Sequence, residues 1–194
     1  MQRSWLILTA LSTLATVAIL ASMKSNASDQ NASELPDNVV VQLAGPDGNP
    51  LPPESVPTVK MSDAEWRKQL GDESFKVLRA SATERPFCGG LLENKEAGIY
   101  FCAGCDLPLF ASRSKFESGT GWPSFFQPFG DGNIGETRDV SYGMERVEVH
   151  CARCGGHQGH VFPDGPAPTR LRYCINSAAL TFKSLADLKA AAND

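Results

Sequence analysis

Six cysteines and three histidines carry most of the chemistry open to this chain of 194 residues. Four of the cysteines fall in two matched pairs, Cys102-Ala-Gly-Cys105 and Cys151-Ala-Arg-Cys154. Each pair has a glycine within or just after it, which permits the tight turn from which both sulfurs face one ion. Four thiolates at this spacing suit a tetrahedral Zn²⁺. Disulfide bonding is the competing use of cysteine in an exported chain. Two matched knuckles are more specific than scattered cysteines, so zinc is the reading taken. A redox C-x-x-C is disfavoured because neither pair sits in the strand-to-helix setting that such a motif uses.

Cys88 and Cys174 remain. Cys174 stands in RYCINSAAL, residues 172–180, which otherwise reads as strand. Alternation on a strand puts Arg172, Cys174 and Asn176 on one face and turns Tyr173 and Ile175 to the other. A cation and an amide donor beside the sulfur predict a stabilised thiolate with a lowered pKa, a nucleophile near neutral pH. An inert core cysteine is the commoner fate of a lone Cys, and the polar neighbours argue against it here. Two histidines, His157 and His160, stand in GGHQGHVFPDGP with Asp164 close behind. A lone histidine is usually structural, whereas this pair in a Gly/Pro-rich stretch suits proton delivery. A second metal site there lacks further ligands. His150 reads as an exposed strand residue. In SGTGWPSFFQPF, residues 118–129, the aromatic rings read mainly as core. Gly119, Gly121 and Pro123 nevertheless hold Trp122 in a loop, where its ring could wall an apolar pocket.

These groups need a frame to hold them. The chain is 42% hydrophobic and 21% charged, enough for one core, and its net charge of −4 gives no electrostatic reason to expect nucleic acid. Arg3 precedes an uncharged apolar stretch from Trp5 to Ala21, and Ser25-Asn26-Ala27 has the small-x-small pattern of a signal peptidase site. Residues 1–27 are therefore expected to be a signal peptide or a membrane anchor, placing the rest outside the cytoplasm as a periplasmic, secreted or anchored protein. Residues 28–60, rich in Ser, Asn, Asp and Pro, read as a flexible linker. A folded domain is expected over 61–194. Ser62 and Glu65 form a capping box that opens one helix, and a separate short helix is expected from Glu73. After Pro86 the texture is short apolar or alternating runs between turn residues, so the body is mainly β. A last helix is expected to start at Ser184.

Taken together, CAGC, SGTGWPSF, CARCGGHQGHVFPDGP and LRYCINSAAL resemble the B-type methionine sulfoxide reductases, which reduce the R epimer of methionine sulfoxide. The likeness runs in the same order along the chain, over roughly Ser62 to Phe182. It implies two antiparallel β-sheets (a β-tent) with short peripheral helices. It also implies a structural zinc held by Cys102, Cys105, Cys151 and Cys154. Cys174 would be the nucleophile, Trp122 the wall for the substrate methyl group, and His157 and His160 the polar side of the pocket. Arg172, Asp164, Asn176 and Phe162 would support the substrate site. Thiolate attack at the sulfoxide sulfur needs the oxygen protonated, with His160 as the expected acid, and leaves Cys174 as a sulfenic acid.

Some members of the family carry a resolving cysteine just before GWPSF, where this chain has Thr120. The candidate left for that role is Cys88, in ERPFCGG. The disulfide formed would need an external dithiol, a thioredoxin-like reductant. Oxidised methionine in proteins is the expected substrate, acted on by a monomer. Two rivals stand beside this reading. A zinc-stabilised binding module would leave Cys174 inert, and a general thiol-disulfide oxidoreductase would leave the aromatic loop and paired histidines without a purpose.

Overall fold

The computed structural model describes residues 35–193; the expected export segment, residues 1–27, lies outside the described residues. Among the described residues, no helix is long and apolar enough to cross a membrane.

The expected capping box is formed at the start of α1 (Asp63–Ala80): Ser62 Oγ accepts from the Glu65 backbone N–H, and the Glu65 carboxylate accepts from Ser62 N–H at 2.8 Å. Gly71 kinks α1 by taking a left-handed conformation with φ 73°. The separate short helix expected from Glu73 is the second half of this kinked element, which buries Phe75, Val77 and Leu78. At the other end, Ser184 and Asp187 form a second capping box for α2 (Leu185–Ala191).

Between the helices lie β3 (Gly98–Cys102), β4 (Pro108–Ala111), β5 (Lys115–Phe116), β6 (Ser124–Phe125), β7 (Ile134–Asp139), β8 (Arg146–Cys151), β9 (His157–Phe162), β10 (Arg172–Ile175) and β11 (Leu180–Ser184). They make a three-stranded sheet in the order β11-β3-β4 and a six-stranded sheet in the order β5-β6-β10-β9-β8-β7. Every pairing is antiparallel. The fold is thus mainly β, with few helices, as the sequence implied. An aromatic core joins the two sheets: Phe110 of β4 stacks on Phe125 of β6 at 4.4 Å, and Tyr100 of β3 meets the same ring edge-on at 5.0 Å. Such pairs add about 0.5–1.5 kcal/mol to the burial of their area.

The expected flexible linker over 28–60 is replaced, from residue 35 onward, by a packed hairpin of β1 (Asn38–Val41) and β2 (Glu54–Pro57). Val41 is fully buried in the main core, and Gln42 exchanges backbone hydrogen bonds of 2.8 Å with the side-chain amide of Asn133. Val59 N–H donates to the Arg153 carbonyl at 2.9 Å, tying the hairpin to the second cysteine knuckle. Composition suggested a tether because prolines and small polar residues fill the connection. The alternating Val39 and Val41, with Asp47-Gly48 following as a turn signal, are the sequence marks of the hairpin.

Candidate active site and metal centre

The two C-x-x-C pairs close their turns in the same way. In each, the residue after the second cysteine is left-handed, Asp106 (φ 58°) in one and Gly155 (φ 67°) in the other. Its N–H donates back to the first cysteine's carbonyl. In the first knuckle the turn is made by Asp106 rather than by the glycine inside the pair. The four sulfurs lie within 4.8 Å of one another, with Cys102 to Cys154 at 3.6 Å and Cys105 to Cys151 at 3.4 Å. A tetrahedron with Zn–S bonds of about 2.3 Å needs sulfurs about 3.8 Å apart. The cluster fits a zinc ion, and all six cysteines are free of disulfides. Arg153 links the knuckles by donating to the Cys105 carbonyl at 3.1 Å.

The six-stranded sheet assembles the second site by register. Cys174 on β10 lies opposite Ser124 on β6 and His160 on β9, and His160 in turn lies opposite Glu148 on β8. Residues directly opposite share a face with Cβ atoms about 4.5–5.5 Å apart, so the row presents serine, cysteine, histidine and glutamate side by side. Gly159 permits the close approach of β9 and β10, because a Cβ there would run into the Cys174 carbonyl.

Along this row opens a cavity of about 130 Å³ whose walls include Cys174, His160, Trp122, Phe162 and Asn176. Five of the residues singled out in the sequence therefore meet. The Trp122 indole N–H donates to the Glu84 carbonyl at 3.1 Å, which fixes the ring. Arg172 and Asp164 form a bidentate ion pair with both contacts at 2.8 Å, and the guanidinium stacks over the Phe162 ring at 4.4 Å. His157 does not line this cavity. It opens instead on an adjoining cleft, together with Asp139, Glu148 and His160.

Two electrostatic expectations need correction. Asn176 does not support the sulfur: its amide N–H donates to the Gln158 carbonyl at 2.9 Å and its oxygen accepts from Glu84 N–H at 3.0 Å, so it braces the backbone. Nor is the Cys174 thiol acidified. Burial pushes its pKa above the usual 9.0, outweighing the Thr120 hydroxyl and the Arg172 cation, which pull it down. The sulfur rests as a thiol at neutral pH. His160 moves the other way, held below its usual 6.5 by burial and by Arg146, with its hydrogen bond to Asp139 opposing the shift.

The SelR domain family matches residues 70–184. The chain belongs to this family of MsrB methionine sulfoxide reductases. It is 54% identical over 127 residues to the peptide methionine sulfoxide reductase MsrB of Agrobacterium fabrum, covering 66% of this chain and 94% of that one. It is 63% identical over 113 residues to that of Caulobacter vibrioides, covering 58% and 71%, and 56% identical over 126 residues to that of Methanosarcina barkeri, covering 65% and 89%. The β1–β2 hairpin precedes the region that the SelR family matches.

In this MsrB-family chain the Thr120 hydroxyl lies 3.9 Å from the Cys174 sulfur, so the position where the resemblance points to a resolving cysteine does adjoin Cys174. Threonine cannot close a disulfide. Cys88 is exposed and lies outside the walls of the Cys174 cavity. Its neighbours are anchored on both sides of the site: Phe87 N–H donates to the Gly121 carbonyl at 2.8 Å, and Gly89 packs against Ser177, three residues after Cys174.

Reading the sequence missed Asp139, Arg146 and Glu148. Arg146 lines the Cys174 cavity and donates to Asp139 at 2.6 Å, while Glu148 bonds His157 at 2.6 Å and Asp139 bonds His160 at 2.8 Å. Alternation along β8 could have put Arg146 and Glu148 on one face. Nothing local says that this face meets the histidines.

Proposed function

We propose that Cys174 reduces methionine-R-sulfoxide in oxidised polypeptides with His160 as its proton-transfer partner. The observation that carries this reading is the cross-strand pair Cys174–His160 at a cavity walled by Trp122 and Phe162, in a chain of the MsrB family. The aromatic walls suit the substrate's apolar methyl and methylene groups, and the polar row suits its oxygen.

The opposite pKa displacements define the starting state, a Cys174 thiol beside a neutral His160. The thiol proton passes to the imidazole, which pairs the thiolate with an imidazolium. Sulfur attacks the sulfoxide sulfur, and His160 returns the proton to the oxygen as negative charge builds there. The hydroxyl then migrates from the substrate sulfur to the Cys174 sulfur: the substrate S–O bond and the transient S–S bond break as the Cys174 S–O bond forms, methionine leaves as the thioether, and Cys174 is left as a sulfenic acid. One oxygen has moved and no outside proton is consumed. Arg172, held by Asp164, stabilises the thiolate while it exists. The Cys88 thiol then condenses with the sulfenic acid, giving a disulfide and one water, and a thioredoxin-like dithiol reduces that disulfide.

Zinc held by Cys102, Cys105, Cys151 and Cys154 would act as a structural tie between the two knuckles. The apolar character of residues 1–27 supports export, as a periplasmic, secreted or anchored protein, and fractionation of tagged chain tests it. For the reaction, the full chain is pre-reduced, loaded with zinc and mixed in single turnover with peptides carrying each sulfoxide epimer. Product from the R epimer alone, with loss of two thiols, is expected. No product from a folded, zinc-bound chain would return the domain to a binding role.

A further inference from the structure

The histidine pair owes its orientation to one hairpin. β7 supplies Asp139, whose carboxylate accepts from His160 Nε2 at 2.8 Å, and β8 supplies Glu148, whose carboxylate accepts from His157 Nδ1 at 2.6 Å. Asp139 is held far below the usual carboxylate range by the Ser141 hydroxyl and N–H and by His160. Glu148 is also lowered, first of all by His157. Both carboxylates are ionised at neutral pH and can only accept, so the bonded ring nitrogens carry the protons. Arg146 donates to the same Asp139 oxygen at 2.6 Å and keeps that carboxylate charged. The two rings pack edge to face with centroids 5.4 Å apart.

The consequence is a pair of opposite tautomers. His157 carries its proton on Nδ1, and its Nε2 is fully buried with no hydrogen-bond partner among the described residues. His160 carries its proton on Nε2, which leaves Nδ1 as the nitrogen able to take a proton from Cys174. The two histidines also stand at different openings. His160 borders both the Cys174 cavity and the cleft beside it, whereas His157 borders the cleft alone.

We infer that Asp139 and Glu148 are positioning residues for sulfoxide reduction, holding His160 and His157 in opposite tautomers so that His160 Nδ1 is the nitrogen available for proton transfer at Cys174 while His157 stays fixed behind it as a neutral ring. The inference rests on the reductase reading above and assigns work to a hairpin that the motifs in the sequence do not include. Asp139 also offsets the charge of the imidazolium that His160 becomes while the proton is in transit, and Glu148 fixes the ring packed edge to face against it. Facing the pair are Glu148, Arg146 and His150 of β8, Asp139 of β7, and Cys174 with the Arg172–Asp164 pair beside β10. Ala80 to Thr83, which wall the cleft at the end of α1, bring no titratable group.

The test combines nitrogen-15 NMR of the imidazoles with single-turnover kinetics on the full, zinc-loaded chain. In the unaltered protein, His157 is expected as the Nδ1–H tautomer and His160 as the Nε2–H tautomer. Finding both in one form would overturn the inference. Asp139→Asn and Glu148→Gln keep the side-chain shape and remove the charge. Each is expected to lower kcat for the R epimer by on the order of 10-fold, a share of what general acid–base catalysis supplies, with KM changed less than about 2-fold. Asp139→Asn should also move the acid limb of the profile to lower pH, because the imidazolium of His160 loses its counter-charge. Unchanged kcat and pH profile in folded, zinc-replete variants would overturn the positioning role while leaving the reductase reading intact. Failure of the unaltered chain to reduce the R epimer would instead sink the reading on which it rests.

Discussion

One domain puts cysteine to two opposite uses, and the contrast lies in what surrounds the sulfur. The knuckle sulfurs sit on left-handed turns at the end of β3 and the end of β8, packed against one another within 4.8 Å. Cys174 sits alone within the four-residue strand β10, with a hydroxyl on one side, a histidine across the ladder and an opening to solvent. Four sulfurs this close together can hold a cation and, through it, tie the fold. A single thiol whose burial disfavours its ionisation, placed across the ladder from a histidine, suits the chemistry proposed for it.

The sharpest way to break this contrast is at the knuckles. Cys105→Ser is expected to lose stoichiometric zinc and cooperative thermal unfolding together. Zinc binding at such sites contributes about 10–16 kcal/mol of apparent free energy, and a domain's whole stability is about 5–15 kcal/mol. A metal-free variant that melts cooperatively at the wild-type midpoint would show that the cluster does not hold the fold. Cys174→Ser should do the reverse, leaving zinc content and melting unchanged while R-sulfoxide reduction falls by at least about 10³-fold.

Cys88→Ser separates the proposed nucleophile, Cys174, from its proposed resolver. With a thioredoxin-type donor it should give about one turnover and then stop, with a sulfenic acid on Cys174 that a dimedone-type probe traps. Sustained turnover would remove Cys88 from the cycle. The resting state of the pair is tested by pH. Because His160 lies below 6.5 and Cys174 above 9.0, the neutral pair persists between them. Single-turnover rates should then be flat across that window, falling on the acid side as His160 protonates and changing on the alkaline side as Cys174 ionises. A thiolate formed at lower pH would instead make alkylation of Cys174 saturate below neutrality. The smallest effect is expected from Thr120→Val, which removes the hydroxyl beside the sulfur. A hydrogen bond of about 0.5–1.5 kcal/mol predicts Cys174 alkylation slower by about 2- to 10-fold at pH 8 in the Cys88→Ser background.

Much of the site was legible because its signals are local. The spacing in CAGC and CARC specifies which sulfurs can share an ion. The two-residue period of β10 puts Arg172 beside Cys174, and the capping boxes at Ser62 and Ser184 mark where the two helices start. Two departures from the sequence pattern share a physical root in burial. Residues 38–57 form the β1–β2 hairpin because Val41 enters the core, and burial of Cys174 outweighs the strand neighbours that favour its thiolate. Asn176 failed for a related reason: its amide was already committed to Gln158 and Glu84.

By itself, then, the sequence determined which four cysteines cluster, the strand that carries Cys174 and the mainly β character of the body, and it singled out Trp122, which lines the Cys174 cavity. Spacing along a chain is enough to decide those. Only the tertiary structure decided the row Ser124–Cys174–His160–Glu148, the carboxylates that hold the histidines, and the sign of the shift on Cys174. Register brings together residues from four strands, and no local pattern records where one strand stops against another. The cost of burying a charge likewise depends on everything packed around it, which the order of residues in the chain does not contain.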